Sequence, residues 1–167
     1  MKKLLSYLFF LVLLSCQKDD YSGCDEISIN DEIFTCKTFG VDASNFADGT
    51  GDLHFHYLLN KEYVTKIVTL SKIPLKKGVY QPKDDSKVGR EIIHAFYLEM
   101  RTDAEVIGAH YAVVEGAKGN HVTIDSYTGR NCAIGSFQLK LYALEKQKVS
   151  DPDTLTVKSD YFKIKIK

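Results

Sequence analysis

From residue 27 onward, apolar side chains fall mostly at every second position. Ile27 and Ile29 alternate with Ser28 and Asn30, and the turn-prone pair Asn30-Asp31 leads into the segment from Ile33 to Phe39. This pattern predicts an opening β-hairpin. After a polar stretch from Val41 to Gly51, Leu53, Phe55 and Tyr57 alternate with His54 and His56, which predicts a strand with one buried face. A turn at Asn60-Lys61-Glu62 leads to a β-branched segment, Tyr63 to Leu70. Pro74 and Gly78 punctuate a loop before Val79-Tyr80, and the polar stretch from Pro82 to Arg90 reads as a second loop.

Glu91 to Met100 is predicted as a strong strand, with Ile92, His94, Phe96 and Leu98 on one side. Val106 to Glu115 fits a strand or a short helix; Gly108 and the Val113-Val114 pair weigh against the helix. Gly119-Asn120 turns the chain into His121 to Tyr127, and Gly129 separates this from Cys132 to Leu144, where Phe137, Leu139, Leu141 and Ala143 share a face. Leu155 to Val157 and Tyr161 to Ile166 close the series. Eight or nine short strands with turn signals between them predict an all-β fold, an antiparallel β-sandwich or a small β-barrel. Ten tyrosines, nine phenylalanines, three prolines and no tryptophan agree with strand-rich structure. In the last strand Lys163, Lys165 and Lys167 alternate with Ile164 and Ile166, as expected of a charged terminal edge that resists edge-to-edge pairing.

The first sixteen residues follow a different rule. Lys2 and Lys3 precede an apolar run from Leu4 to Leu14, and Leu13-Leu14-Ser15-Cys16 ends it in a thiol. The run is short of the ~20 apolar residues a spanning helix needs. It reads as a lipoprotein export signal over residues 1–15. Cys16 is then the lipidated residue, carrying a diacylglyceryl group on sulfur and an acyl chain, palmitate being the expected one, on the freed amine. Two or more chains make such an anchor stable. Residues 16–23 form the polar tether and 24–167 a single all-β domain.

Gln17-Lys18-Asp19-Asp20, directly after Cys16, resembles the signal by which Bacteroidota send lipoproteins to the outer face of the outer membrane. Further landmarks follow in the same order as in a domain of unknown function from Bacteroidota lipoproteins, which the chain resembles over most of its mature length. They are Ile29-Asn30-Asp31-Glu32-Ile33-Phe34, Leu75-Lys76-Lys77-Gly78-Val79-Tyr80, Val122-Thr123-Ile124-Asp125 and Ile134-Gly135-Ser136-Phe137. The chain departs from that pattern at Asp31 and at Asp160-Tyr161-Phe162, where glycine is common. The resemblance implies fold and an outer-membrane, cell-surface location; it brings no catalytic residue.

Charge excludes one class of partner. The 22 basic side chains fall to 20 once Lys2 and Lys3 leave with the signal, against 22 acidic ones. With no basic cluster longer than Lys76-Lys77, there is no footprint for nucleic acid. Membrane contact is expected through the lipid alone.

Three thiols remain after Cys16: Cys24, Cys36 and Cys132. An odd loop centred on Asn30 would set Cys24 opposite Cys36 and permit a disulfide. A two-residue loop at Asn30-Asp31 would set Cys24 opposite Lys37 and disfavour that bond, leaving Cys36 with Cys132 as the alternative.

His54-Phe55-His56 is the sharpest chemical hint, because alternate residues of a strand share a face and two imidazoles so placed can begin a metal site. His94, His110, His121 or Asp52 would have to supply a third ligand. The competing reading is a solvated strand face. Asp48-Gly49-Thr50-Gly51-Asp52 reads as a turn, since Phe46 cannot serve a calcium loop and no lysine follows the glycines to hold phosphate. Asp84-Asp85 and Asp151-Pro152-Asp153 read as solvated loops. Tyr57, Tyr63, Tyr80, Tyr97, Tyr111 and Tyr127 are spread over several strands, as a stacking surface or a core edge requires. No nucleophile elbow or zinc-protease motif is present. The expectation is a surface-exposed, non-enzymatic lipoprotein that binds a glycan or a protein and needs no cofactor. A metal-dependent enzyme built on His54 and His56, or a structural envelope component, are the alternatives.

Overall fold

The computed structural model describes residues 23–24, 26–34, 48–59, 63–83, 93–100, 107–114, 117–128 and 132–165. Cys16, Gln17, Lys18, Asp19, Asp20, Cys36, Asp84 and Asp85 lie outside the described residues. Eleven strands are formed: β1 (Gly23–Cys24), β2 (Ile27–Ile29), β3 (Glu32–Phe34), β4 (Thr50–Leu59), β5 (Tyr63–Pro74), β6 (Gly78–Tyr80), β7 (His94–Met100), β8 (Ile107–Val113), β9 (His121–Thr128), β10 (Cys132–Glu145) and β11 (Thr154–Lys165). They make one antiparallel sheet in the order β3-β2-β11-β10-β8-β7-β5-β4, with β9 and β6 branching from β10 and β1 pairing with β11.

The sheet does not close into a barrel; it curls until its far end lies over its middle. Phe55 of β4 packs against Phe137 of β10 and Phe162 of β11, with ring centroids 5.1 and 5.4 Å apart. Two layers of inward side chains, including Leu53, Leu70, Ile124, Leu139, Leu141 and Ile164, are thereby removed from water. This is the sandwich arrangement, with a single sheet supplying both layers.

Three local features explain the strand pattern. Asn30 and Asp31 both have positive φ, 47° and 66°, and Ile29 pairs with Glu32, so the first hairpin has a two-residue turn of the mirror-image type. That is the geometry that disfavours a Cys24–Cys36 bridge, and Cys24 instead pairs in register with Phe162. Second, Leu155–Val157 and Tyr161–Ile166, read from sequence as two strands, belong to the single strand β11. The polar Asp160-Tyr161 break is a bulge, where the register to β10 slips between Gly135 and Phe137. Third, β10 changes partner on one side. Its first half pairs with β9 as far as Gln138 and its second half with β8 from Leu141. Asn120 bridges the junction: its Oδ1 accepts the Lys140 amide at 2.6 Å and its Nδ2 donates to the Val114 carbonyl at 3.1 Å.

One expectation needs correction. β11 is no edge strand, because β10 runs along one side of it and β1 and β2 along the other. Lys163, paired with Ile134 on one side and Gly23 on the other, therefore does not guard an edge, and Lys167 lies outside the described residues. β7 places His94, Phe96 and Leu98 on one side, as the alternation predicts; that side is half-buried, and Ala95 and Tyr97 form the buried face. Val106 to Glu115 resolves in favour of the strand, Ile107–Val113.

Candidate functional site

Inward-facing rows run across β4, β5, β7 and β8. One row, Phe55–Val68–Tyr97–Tyr111, is buried throughout. The next row on the same face is Tyr57–Lys66–Glu99–Ala109, where the core gives way to charge. A cup of about 200 Å³ opens there, at the end of the module formed by the β2–β3 turn and the β10–β11 loop. Asn30 fixes that turn to β11, donating its amide to the Thr156 carbonyl and accepting the Thr156 amide on Oδ1, both at 2.9 Å.

The cup's polar groups are mutually engaged. Lys66 Nζ lies 3.2 Å from both Glu99 Oε1 and Tyr97 Oη, and Tyr97 Oη donates to Glu99 Oε2 at 3.1 Å. The same ammonium sits 5.2 Å from the Phe34 ring centre, and Phe34 meets Tyr57 edge-on at 5.3 Å. These contacts join the two ends of the sheet through side chains. Tyr111 Oη donates to the Pro152 carbonyl at 3.1 Å. Burial, reinforced by the Glu99 carboxylate, pushes the Tyr97 phenol far above its ordinary value, and burial with Asp151 raises Tyr111. Both phenols stay protonated at neutral pH and act as hydrogen-bond donors. The cup is thus a set of mutually engaged donors and acceptors beside aromatic side chains.

The other sequence-derived candidates have local employment. His54 and His56 share a face, with ring centres 6.3 Å apart, and His54 Nδ1 is 3.0 Å from Thr69 Oγ1. Asp52 accepts the Lys72 amide at 2.9 Å and supports a bulge in which Lys72 has φ 58°. His121 Nδ1 lies 2.7 Å from the Gly119 carbonyl, and His94 and His110 flank Phe96. Among the described residues no group of three or more His, Cys, Asp or Glu side chains could hold a metal ion. Asp48 accepts the Thr50 amide at 2.9 Å and hydroxyl at 2.7 Å, as a turn requires. Cys132 is buried. Asp151 caps its loop by accepting the Lys148 amide, and Asp153 pairs with Lys146.

Lys66 and Glu99 escape a reading by hydrophobic alternation because each is a charged residue at the end of an apolar row. Their parity with Val68-Leu70 and Ala95-Tyr97 is the signal that places them inside. No protein-family model, no curated protein and no solved structure matches this chain.

Proposed function

We propose that the protein is a lipid-anchored, cell-surface binding module without catalytic activity, which presents its cup away from the membrane to a glycan or protein ligand. The anchor is Cys16, with Gln17, Lys18, Asp19 and Asp20 as the export signal. One observation carries the reading. The described chain enters at β1, beside Phe162 and Lys163 of β11, whereas the cup is lined by Pro152 and Leu155 at the other end of that strand. Seven residues of extended chain separate Leu155 from Phe162, about 23 Å. A tether arriving at one end and a cup opening at the other is the layout an anchored receptor needs. Most of the cup stands on paired strands and the two-residue β2–β3 turn, with Asp151 and Pro152 of the β10–β11 loop closing one side.

The test screens the lipid-free mature chain, residues 17–167, against a glycan array and a panel of envelope proteins, beside its Lys66→Ala and Glu99→Gln variants. The reading expects a ligand retained by the parent and weakened at least tenfold by each variant. Ligands bound equally by all three, or none in either set, would contradict it.

A further inference from the structure

The outer face of β3, β2 and β11 carries a second depression, of about 320 Å³. Its floor is Ser28, which stands in register between Ile33 on β3 and Lys158 on β11. A small residue between two long ones makes a trough. The bulge in β11 supplies one wall: it turns Asp160 and Tyr161 outward together, and Ser159 Oγ, donating to the Tyr161 carbonyl at 2.9 Å, holds it in shape. Tyr161 remains 41% exposed and Ile33, the facing wall, 62% exposed. Neither belongs to the core.

Charge tells what the trough attracts. Glu26, Asp31 and Asp160 line it with a single cation, Lys158, whose Nζ is 3.4 Å from Asp160. Among the described residues Glu26 and Asp31 have no ion-pair partner, so the residues lining the trough carry an excess of two negative charges. The excess is a regional property in a chain of formal net charge zero. Residues 19–36 contain Asp19, Asp20, Asp25, Glu26, Asp31 and Glu32 and no lysine or arginine.

We propose that this trough docks an arginine-bearing segment of a partner protein. A planar guanidinium stacks on the Tyr161 ring while its N–H fork meets a carboxylate of Asp160 or Glu26, and Ile33 covers the aliphatic stem. A neutral saccharide gains nothing from the excess charge, and an anionic ligand is repelled. This inference is independent of the cup, which lies around the hairpin turn on the inward side.

The test is fluorescence anisotropy of the lipid-free mature chain with fluorescein-labelled (Gly-Arg)4 and with (Gly-citrulline)4, which keeps the shape of arginine and removes its charge. The arginine peptide is expected to bind at low salt, at least tenfold more tightly than the citrulline peptide. Tyr161→Ala and Glu26→Gln should each weaken it two- to fivefold or more. Lys158→Ala, which releases Asp160, should tighten it two- to fivefold, a gain that misfolding cannot imitate. Asp125→Asn, an exposed acid elsewhere, serves as the control and should leave binding unchanged. Equal affinity for the two peptides, indifference to Tyr161→Ala, an effect of Asp125→Asn as large as that of Glu26→Gln, displacement by a neutral dextran oligosaccharide, or no binding at millimolar peptide would each overturn the proposal.

Discussion

Replacing Asn120 with alanine tests how one sheet serves two layers. Where β10 passes from β9 to β8, the Lys140 amide has no strand partner and donates to Asn120 Oδ1 at 2.6 Å. Asn120 is only 6% exposed, so water does not readily take its place. The carbonyls it serves keep other donors: Val114 O accepts from the Ala117 amide and Lys140 O from the Val114 amide. The variant therefore orphans one part-buried N–H, at about 1–3 kcal/mol, and loses the Nδ2 hydrogen bond to Val114 of about 1 kcal/mol. The expected loss is about 2–4 kcal/mol, or roughly 4–16 °C in Tm for a chain of this size. Urea and thermal unfolding of the lipid-free mature chain, with the exposed Lys118→Ala as control, measure it. A loss below about 0.5 kcal/mol, the range of a neutral surface change, would refute the argument that this side chain joins the two ladders.

Gly135→Ala should destabilise severely, since a Cβ there would lie 2.0 Å from the Thr123 carbonyl oxygen and 2.8 Å from the Phe162 ring; loss of soluble folded protein is the measure. Phe162→Ala, which removes the fully buried ring between Phe55 and Phe137, should cost about 3–5 kcal/mol in urea unfolding. Burial, with the neighbouring His54 charge, holds the His56 pKa below its ordinary 6.5. The folded state then binds fewer protons than the unfolded one, so this contribution is complete above pH 6.5 and is lost as pH falls toward the lowered folded value. Unfolding curves at pH 7.5 and 5.5 should show a smaller acid loss for His56→Gln than for the parent; equal losses would count against the assignment.

Alternation is legible where only one face of a strand packs. Leu53, Phe55 and the inward residues of Cys132–Leu144 are therefore readable from the sequence. In β7 it groups His94, Phe96 and Leu98 on one side but does not say which side is inward: Ala95 and Tyr97 face the core and Phe96 and Leu98 lie half-buried opposite them. With apolar residues on both sides, parity alone does not choose. The interior place of β11 depends on pairing between segments about 126 residues apart, as in the Asn30–Thr156 contact, and no local pattern records it. The cup was illegible for the same reason. Phe34, Lys66, Glu99 and Pro152 come from four separate parts of the chain, and only the curl of the sheet brings them together. The histidine pair shows the converse: its shared face follows from strand geometry, but a third ligand would depend on the fold.

The proposed function rests on orientation, with the lipid anchor on the β1 side and the cup, at the other end of β11, turned away from the membrane. Val149, in the β10–β11 loop beside the cup, is 98% exposed, so a Val149→Cys variant gives a labelling site there without disturbing the core. Intact cells of the native host are treated with a membrane-impermeant maleimide, and labelling is compared with the unsubstituted protein. The account predicts strong additional labelling on intact cells, lost when Lys18-Asp19-Asp20 is replaced by three alanines. Labelling that appears only after the envelope is broken would contradict it.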